Sequence, residues 1–156
     1  MDPKISNNLN RETEDAVYFF TPPYYRLDNF SAHQINIWGR TFPTAEHAFQ
    51  WKKFSSAQPE VAEKIFAAGS PYAGKRIADE NKDKIPPAWF DERVEVMEEL
   101  LKAKAEQHED VRRKLKETGN RLIVENSPTD DFWGIGPGGK GKNMVGKIWM
   151  KIRGKL

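Results

Sequence analysis

Along this chain, short apolar blocks give way to longer stretches whose apolar residues recur every three or four positions. "AVYFF" (16–20) is continuous, β-branched and aromatic, which predicts a strand, and "PP" at 22–23 breaks it. "QINIW" (34–38) alternates polar with apolar and predicts a second strand, with Gly39 and Arg40 turning the chain. Pro43 and Thr44 open a helix carrying most of "FPTAEHAFQWKKF" (42–54). Pro59 begins another helical segment that Gly69 ends. Ser70 before Pro71 reads as an N-cap followed by proline at the first helical position.

Beyond Pro86 and Pro87 the longest helix runs from about Ala88 to His108. Its Phe90, Val94, Met97, Leu101 and Ala105 step by four, three, four and four, a core-facing stripe. "EDVRRKLKETG" is a helix closed by Gly119, "RLIVE" (121–125) a third short strand, and "NMVGKIWMKIR" a C-terminal helix. No repeat and no long linker interrupts this order. The pattern predicts an α+β fold: a single compact, mostly helical domain with a small β-sheet over residues 15–156. The polar residues 1–14 before it read as a flexible tail.

Composition narrows the function classes. A chain of 156 residues with 38% apolar and 31% charged positions has enough of both for one globular domain with its own core. No apolar run approaches the length of a membrane span, and the N-terminus lacks the apolar centre of a signal peptide. The absence of cysteine removes disulfides, thiolate metal sites and cysteine nucleophiles together, and with the missing signal it favours the cytoplasm. A net charge of +2 is too small to mark a nucleic-acid binder. Its distribution is uneven, because no acidic residue follows Asp131 while Lys140, Lys142, Lys147, Lys151, Arg153 and Lys155 do. That run reads either as a solvated tail or as a positive field beside a phosphate site.

The helix at 42–54 is the first candidate for chemistry. At 100° per residue, Glu46, Gln50 and Lys53 fall within an arc of roughly 60°, with Phe49 on one border and Phe54 on the other. A narrow polar ridge between aromatics points into a cavity. There the helix dipole favours a carboxylate in the first turn, and apolar rings lower a lysine pKa to give a neutral amine. A solvated face with weak pairings explains the same residues and is, for a helix taken alone, the commoner outcome. The three histidines, His33, His47 and His108, contain no i, i+4 pair and give no support to a histidine metal site. No Gly-x-Ser-x-Gly elbow is present either.

"DDFWGIGPGGKGKN" (130–143) is the second candidate. Gly134, Gly136 and Gly139 match G-x-G-x-x-G, but no clear strand precedes them and too little chain follows for a βαβ unit. Gly134, Gly139 and Lys140 come close to a Walker loop, but Gly141 stands where the magnesium-binding hydroxyl belongs. What remains is a loop whose glycines let backbone N–H groups approach a phosphate, with a helix starting near Asn143 and Trp133 offering a face to a base. A tight structural turn with Trp133 in the core accounts for it equally well.

Together these stretches resemble the NADAR, or YbiA-like N-glycosidase, family. "LDNF" (27–30) is similar to its L-x-N-F, and "FPTAEHAFQWKKF" to its P-T-x-E-H-x-F-Q-x-x-K-F. "SP" at 70–71, Trp89 and "AKAEQH" (103–108) also fit. "TGN…LIVENSPTDDFWGIGPGGKGKNMVG" resembles its closing signature. Ala105 departs from a position where the family often carries an aromatic, a change of packing rather than chemistry. The resemblance implies hydrolysis of a bond between ribose C1 and an exocyclic amine. The substrate is then either a phosphorylated ribosyl small molecule, such as a ribosylamino-pyrimidine of riboflavin synthesis, or nucleic acid ADP-ribosylated on guanine.

By the same match, Lys53 is the nucleophile that forms an imine at C1 and Glu46 the acid/base. Gln50 and Asn29 hydrogen-bond the substrate, and Glu125 and Asp130 either position ribose or support the cation from behind the residues that touch it. Trp133 stacks on a base, while Gly134, Gly136 and Asn143 surround phosphate or ribose. Neither a metal nor a cofactor is implied. Two alternatives stay open: a carboxylate that activates water while Lys53 only orients the substrate, and a non-catalytic module binding NAD or ADP-ribose.

Overall fold

A computed structural model describes residues 9–20 and 25–156. The break expected at 22–23 and the first eight residues of the expected tail lie outside the described residues. Tertiary contacts group the chain into two compact units, one formed by the segments up to Ser31 and from His108 to Leu156, the other by Ala32–Gln107. The sequence, with no long linker, gives no sign of this division. Among the described residues no helix is long and apolar enough to cross a membrane.

The first unit is built on a three-stranded sheet, β1 (Arg11–Glu12), β2 (Ala16–Phe19) and β5 (Leu122–Glu125), in the order β1-β2-β5. Strand β2 pairs antiparallel with β1 and parallel with β5, in the register Val17 to Ile123 and Phe19 to Glu125. As the middle strand β2 buries Ala16, Val17 and Phe19, which is why its sequence is an unbroken apolar run. Arg11 and Glu12, in the stretch whose polarity predicted a tail, form the exposed edge strand. Glu12 pairs with Lys114 at 3.0 Å and Arg121 at 3.3 Å. Charged side chains on an edge discourage further strand pairing.

Helix α5 (Glu109–Glu117) ends as expected, with Thr118 at its C-cap and Gly119 at a φ of +60°. Helix α6 (Met144–Arg153) lies against β5 and buries Val145, Ile148, Trp149 and Ile152. The Trp149 indole N–H donates to the Leu27 carbonyl at 2.9 Å. Arg153 donates to the Thr118 hydroxyl and the Arg121 carbonyl, both at 2.8 Å, and so fastens the end of α6 to the α5–β5 turn.

The second unit centres on α1 (Ala45–Phe54), with α2 (Pro59–Phe66), α3 (Pro71–Glu80) and α4 (Trp89–Gln107) packed against it. A short 3-10 turn, Lys82–Lys84, joins α3 to α4. Phe54, Val61, Ala62, Ile65 and Ala78 form its apolar centre. A hairpin of β3 (Ile35–Ile37) and β4 (Arg40–Phe42) precedes α1. The strand expected at 34–38 is therefore not part of the main sheet but pairs with β4, which the sequence pattern did not predict.

The turn residues are Trp38 and Gly39, with φ of 53° and 77°, rather than Gly39 and Arg40. Two positive φ values make the type I′ turn that suits a two-residue hairpin. A tryptophan tolerates this conformation because its ring stacks on Trp51 at 6.3 Å and its N–H donates to Glu99 at 3.1 Å.

Two further differences have plain causes. Helix α2 stops at Phe66, before Gly69, because Ser70 must be extended to cap α3, where its hydroxyl accepts from Ala73 N–H at 3.1 Å. In α4 the buried face runs through Trp89, Val96, Met97, Leu100, Leu101, Lys104 and Ala105, while Phe90 is exposed. Both Trp89 and Phe90 are apolar, and packing of Trp89 on Phe49, with ring centroids 5.2 Å apart, selects the tryptophan.

Gly146 sets the approach of α6 to β5, since a Cβ there would sit 2.0 Å from the Ile123 carbonyl oxygen. Gly146→Ala is expected to destabilise the protein by about 2–4 kcal/mol in urea denaturation. Gly138→Ala, where a Cβ meets nothing within 4 Å, is expected to stay within about 0.5 kcal/mol of the parent.

Candidate active site

The site is assembled from helix α1 upward. Thr44 is extended and caps the helix, its hydroxyl accepting from His47 N–H at 3.2 Å. The same hydroxyl lies 2.8 Å from His47 Nδ1, and His47 Nε2 lies 2.9 Å from the Ala68 carbonyl. A carbonyl only accepts, so Nε2 carries the proton and Nδ1 receives the threonine hydroxyl proton. Buried His47 is thus a structural clamp between the start of α1 and the turn before α3. Gly74 packs beside the ring, where a Cβ would make an ordinary contact with it at 3.8 Å.

Glu46, Gln50 and Lys53 do form one stripe. Gln50 Nε2 donates to Glu46 Oε1 at 2.8 Å, and both residues are buried. Gln50 Oε1 is buried and has no hydrogen-bond partner among the described residues. Lys53 is half-buried, with Nζ 5.5 Å from the Phe49 ring centre and 6.0 Å from that of Trp89. The aromatic border is therefore Phe49 and Trp89. Phe54, the border expected from the helical arc, turns inward to the apolar centre instead.

Burial pushes the Glu46 carboxyl above its ordinary value, against the Gln50 hydrogen bond and the charge of Lys53, which lower it. Burial likewise pushes the Lys53 amine down, opposed by the charges of Glu46 and Asp79. Desolvation leads in both cases, so the pair is driven toward a neutral acid beside a neutral amine. Such opposed shifts are typical of groups that trade protons. Lys75, Asp79 and Arg93 also act on Lys53. They were missed in the sequence, although Tyr72, Lys75 and Asp79 recur at helical spacing after the Ser70–Pro71 start.

The remaining expected site residues lie in the first unit. Asn29 is buried in the turn 25–31, which Asp28 braces by accepting from Phe30 N–H at 2.8 Å. Asp130 accepts from the backbone N–H groups of Phe132 and Trp133 at 2.9 and 2.8 Å, shaping the loop entrance. Half-buried Trp133 meets Phe132 edge-on, with centroids 4.8 Å apart. Gly134 lies against Glu125, where a Cβ would be 2.7 Å from its carbonyl oxygen and 2.9 Å from its carboxylate. Gly136 has a φ of +66° and packs on Asp131.

Asn143, at a φ of 52°, accepts from Glu125 N–H and donates to the Ile123 carbonyl, both at 2.9 Å, continuing the edge of β5 as a strand would. The loop's own amides are largely engaged: those of Ile135, Gly141, Lys142 and Asn143 donate to carbonyls of Glu125, Ile135, Asp131 and Gly134. Met144 and Val145, the first two residues of α6, donate to Phe132 and Trp133. The helix start expected to face a phosphate is thus closed by its own loop. The structure brings Glu46, Gln50 and Lys53 together in one unit, and Glu125, Gly134 and Asn143 together in the other.

Comparison with known proteins matches residues 10–156 to the NADAR domain. The chain belongs to the NADAR family. This NADAR chain is 34% identical to N-glycosidase YbiA of Escherichia coli over 157 residues, covering 99% of the chain and 97% of that protein. It is 32% identical over 145 residues to a riboflavin biosynthesis protein of Vibrio vulnificus, covering 92% of the chain and 39% of that protein. The NMR structure of E. coli YbiA superposes with a TM-score of 0.80 at 31% identity, over 97% of this chain and 90% of that one.

The raised Glu46 pKa links the NADAR site to stability. Below the ordinary value of 4.5 the carboxyl is protonated whether the chain is folded or not. Above it the unfolded chain releases a proton that the folded chain keeps, so stability falls as pH rises through that window. Glu46→Gln cannot ionise. Denaturation midpoints from pH 4.5 upward are therefore expected to show the parent losing ground to the variant, by up to about 1.4 kcal/mol per pH unit, until the folded carboxyl itself ionises.

Proposed function

We propose that the protein hydrolyses the bond between ribose C1 and an exocyclic amine through an imine on Lys53. The coarser statement stands on kinship: the chain is a hydrolase acting on N-glycosyl compounds, like near-full-length relatives named N-glycosidase. The finer reading rests on one observation, a half-buried lysine amine and a buried carboxyl on the same face of α1.

In the proposed sequence, protonated Glu46 gives its proton to the ribose ring oxygen as the ring opens, leaving an iminium between C1 and the exocyclic nitrogen. The neutral Lys53 amine adds to C1. One of its protons moves through the Glu46 carboxylate to the exocyclic nitrogen, and that nitrogen leaves as the free amine of the base. Water then attacks C1 of the lysine iminium, Lys53 departs, and the released sugar recloses. One water is consumed. Gln50 offers its buried Oε1 to a ribose hydroxyl while its amide N–H keeps Glu46 in place. A buried carboxyl with a raised pKa suits the acid of this sequence better than a carboxylate base that activates water.

Kinship with a protein named for riboflavin biosynthesis favours a ribosylamino-pyrimidine phosphate as one substrate. ADP-ribosylated guanine carries the same C1–N bond. Both are tested by release of free base from purified protein. Lys53→Ala is expected to lower turnover by about 1,000-fold or more, and Glu46→Gln by about 100-fold. Borohydride added during turnover is expected to fix the sugar to Lys53, seen as a mass increase on the peptide containing it. Release that persists in Lys53→Ala without an adduct would assign the reaction to a carboxylate-activated water. Tight nucleotide binding without release would identify a binding module.

A further inference from the structure

The charges around Lys53 do not balance. Helix α3 contributes Lys75 and Asp79, helix α4 contributes Arg93, and α1 contributes Glu46 and Lys53 itself, all felt at the lysine amine. That is three cations against two carboxylates. The sequence of contacts shows how they stand. Gly74 and Ala78, the buried positions of α3, face inward, with Gly74 close to His47. Lys75 and Asp79 follow each by one residue and line the border of that face. Lys75 Nζ donates to Asp79 Oδ2 at 2.9 Å, with side chains 49% and 64% exposed. From α4, the Arg93 guanidinium lies 5.5 Å over the ring of Phe90, which is exposed, one residue beyond the Trp89 wall.

We propose that Lys75 and Arg93 form an anion grip at the rim of this site and select ribosyl substrates that carry a phosphate ester, with Asp79 holding Lys75 in waiting. The proposal rests on Glu46 and Lys53 being the reacting groups. An exposed i, i+4 pair with lysine on the N-terminal side is the weaker orientation of such pairs, so an incoming phosphate displaces Asp79 with little loss. Phosphate brings two negative charges and accepts the planar guanidinium bidentately. The opposed shifts of Glu46 and Lys53 toward their neutral forms leave this positive excess unchanged. In the other unit the amides opening α6 are already donated to loop carbonyls, so the glycine loop is a poor rival for this task.

The discriminating experiment measures kcat and KM for base release from three ribosylamines: the 5′-monophosphate, the ADP-ribosyl form and the dephosphorylated nucleoside. Lys75→Ala is expected to raise KM tenfold or more for the phosphorylated forms relative to the dephosphorylated form, while the change in kcat that follows from removing a charge near Lys53 is shared by all three substrates. Lys75→Arg is expected to restore most of the discrimination. Asp79→Asn, which removes the competing carboxylate, is expected to lower KM for the phosphorylated forms. A loss confined to the monophosphate or to the ADP-ribosyl form identifies which phosphate is gripped. Equal effects on KM for phosphorylated and dephosphorylated substrates, or none, would overturn the grip.

Titration calorimetry with inorganic phosphate separates this from the reaction itself. Binding to the parent that weakens tenfold in Lys75→Ala supports the grip even where no substrate is cleaved. Equal binding by parent and variant, or none by either, rejects it while leaving the imine chemistry to its own test.

Discussion

Helix α1 buries six consecutive side chains, Ala45 through Gln50, and three of them are polar. An ordinary surface helix hides one face. Here the first turn and a half is enclosed, and every polar group in it must be answered without water. His47 is answered structurally, by a threonine hydroxyl on one nitrogen and a carbonyl on the other. Glu46 is answered by Gln50 on one oxygen and by the charge of Lys53, and even so its burial is not fully compensated. The arrangement of the second unit follows from this enclosure. His47 ties the helix start to the turn before α3, Trp89 packs over Phe49, and the incompletely compensated carboxyl shares its helix with an amine whose charge it feels.

The first unit solves a different problem with similar economy. Its glycines serve close packing more than display: Gly134 makes room for Glu125, Gly141 for the carbonyls of Asp131 and Gly134, and Gly146 for the edge of β5. Asn143 takes a left-handed backbone conformation and uses both ends of its amide to extend a strand. Most of the loop's amides are thereby engaged, including the two that open α6.

The chemistry inferred for the site and the strain of building it are the same fact seen twice. A carboxyl pushed up and an amine pushed down by burial cost stability in a folded core and suit groups that exchange protons. Removing water from both groups shifts them in opposite directions, and burial along one helix accomplishes both shifts.

The sequence by itself determined a good deal. Proline and serine positions marked the start of α3, the apolar run marked β2, and Gly119 the end of α5, because these depend on local backbone preferences that travel with the residue. The order of the two long motifs revealed the family, and helical spacing placed Glu46, Gln50 and Lys53 on one stripe. Only tertiary structure decided what that stripe faces. Phe54 and Phe90 are as apolar as Phe49 and Trp89, and no periodicity says which pair turns toward the lysine. The pairing of β3 with the unforeseen β4 depends on Trp38 accepting a left-handed turn, which its stacking on Trp51 makes possible. Lys75, Asp79 and Arg93 come to Lys53 from other helices, and the field of a charge depends on distance in space, which spacing along the chain does not encode.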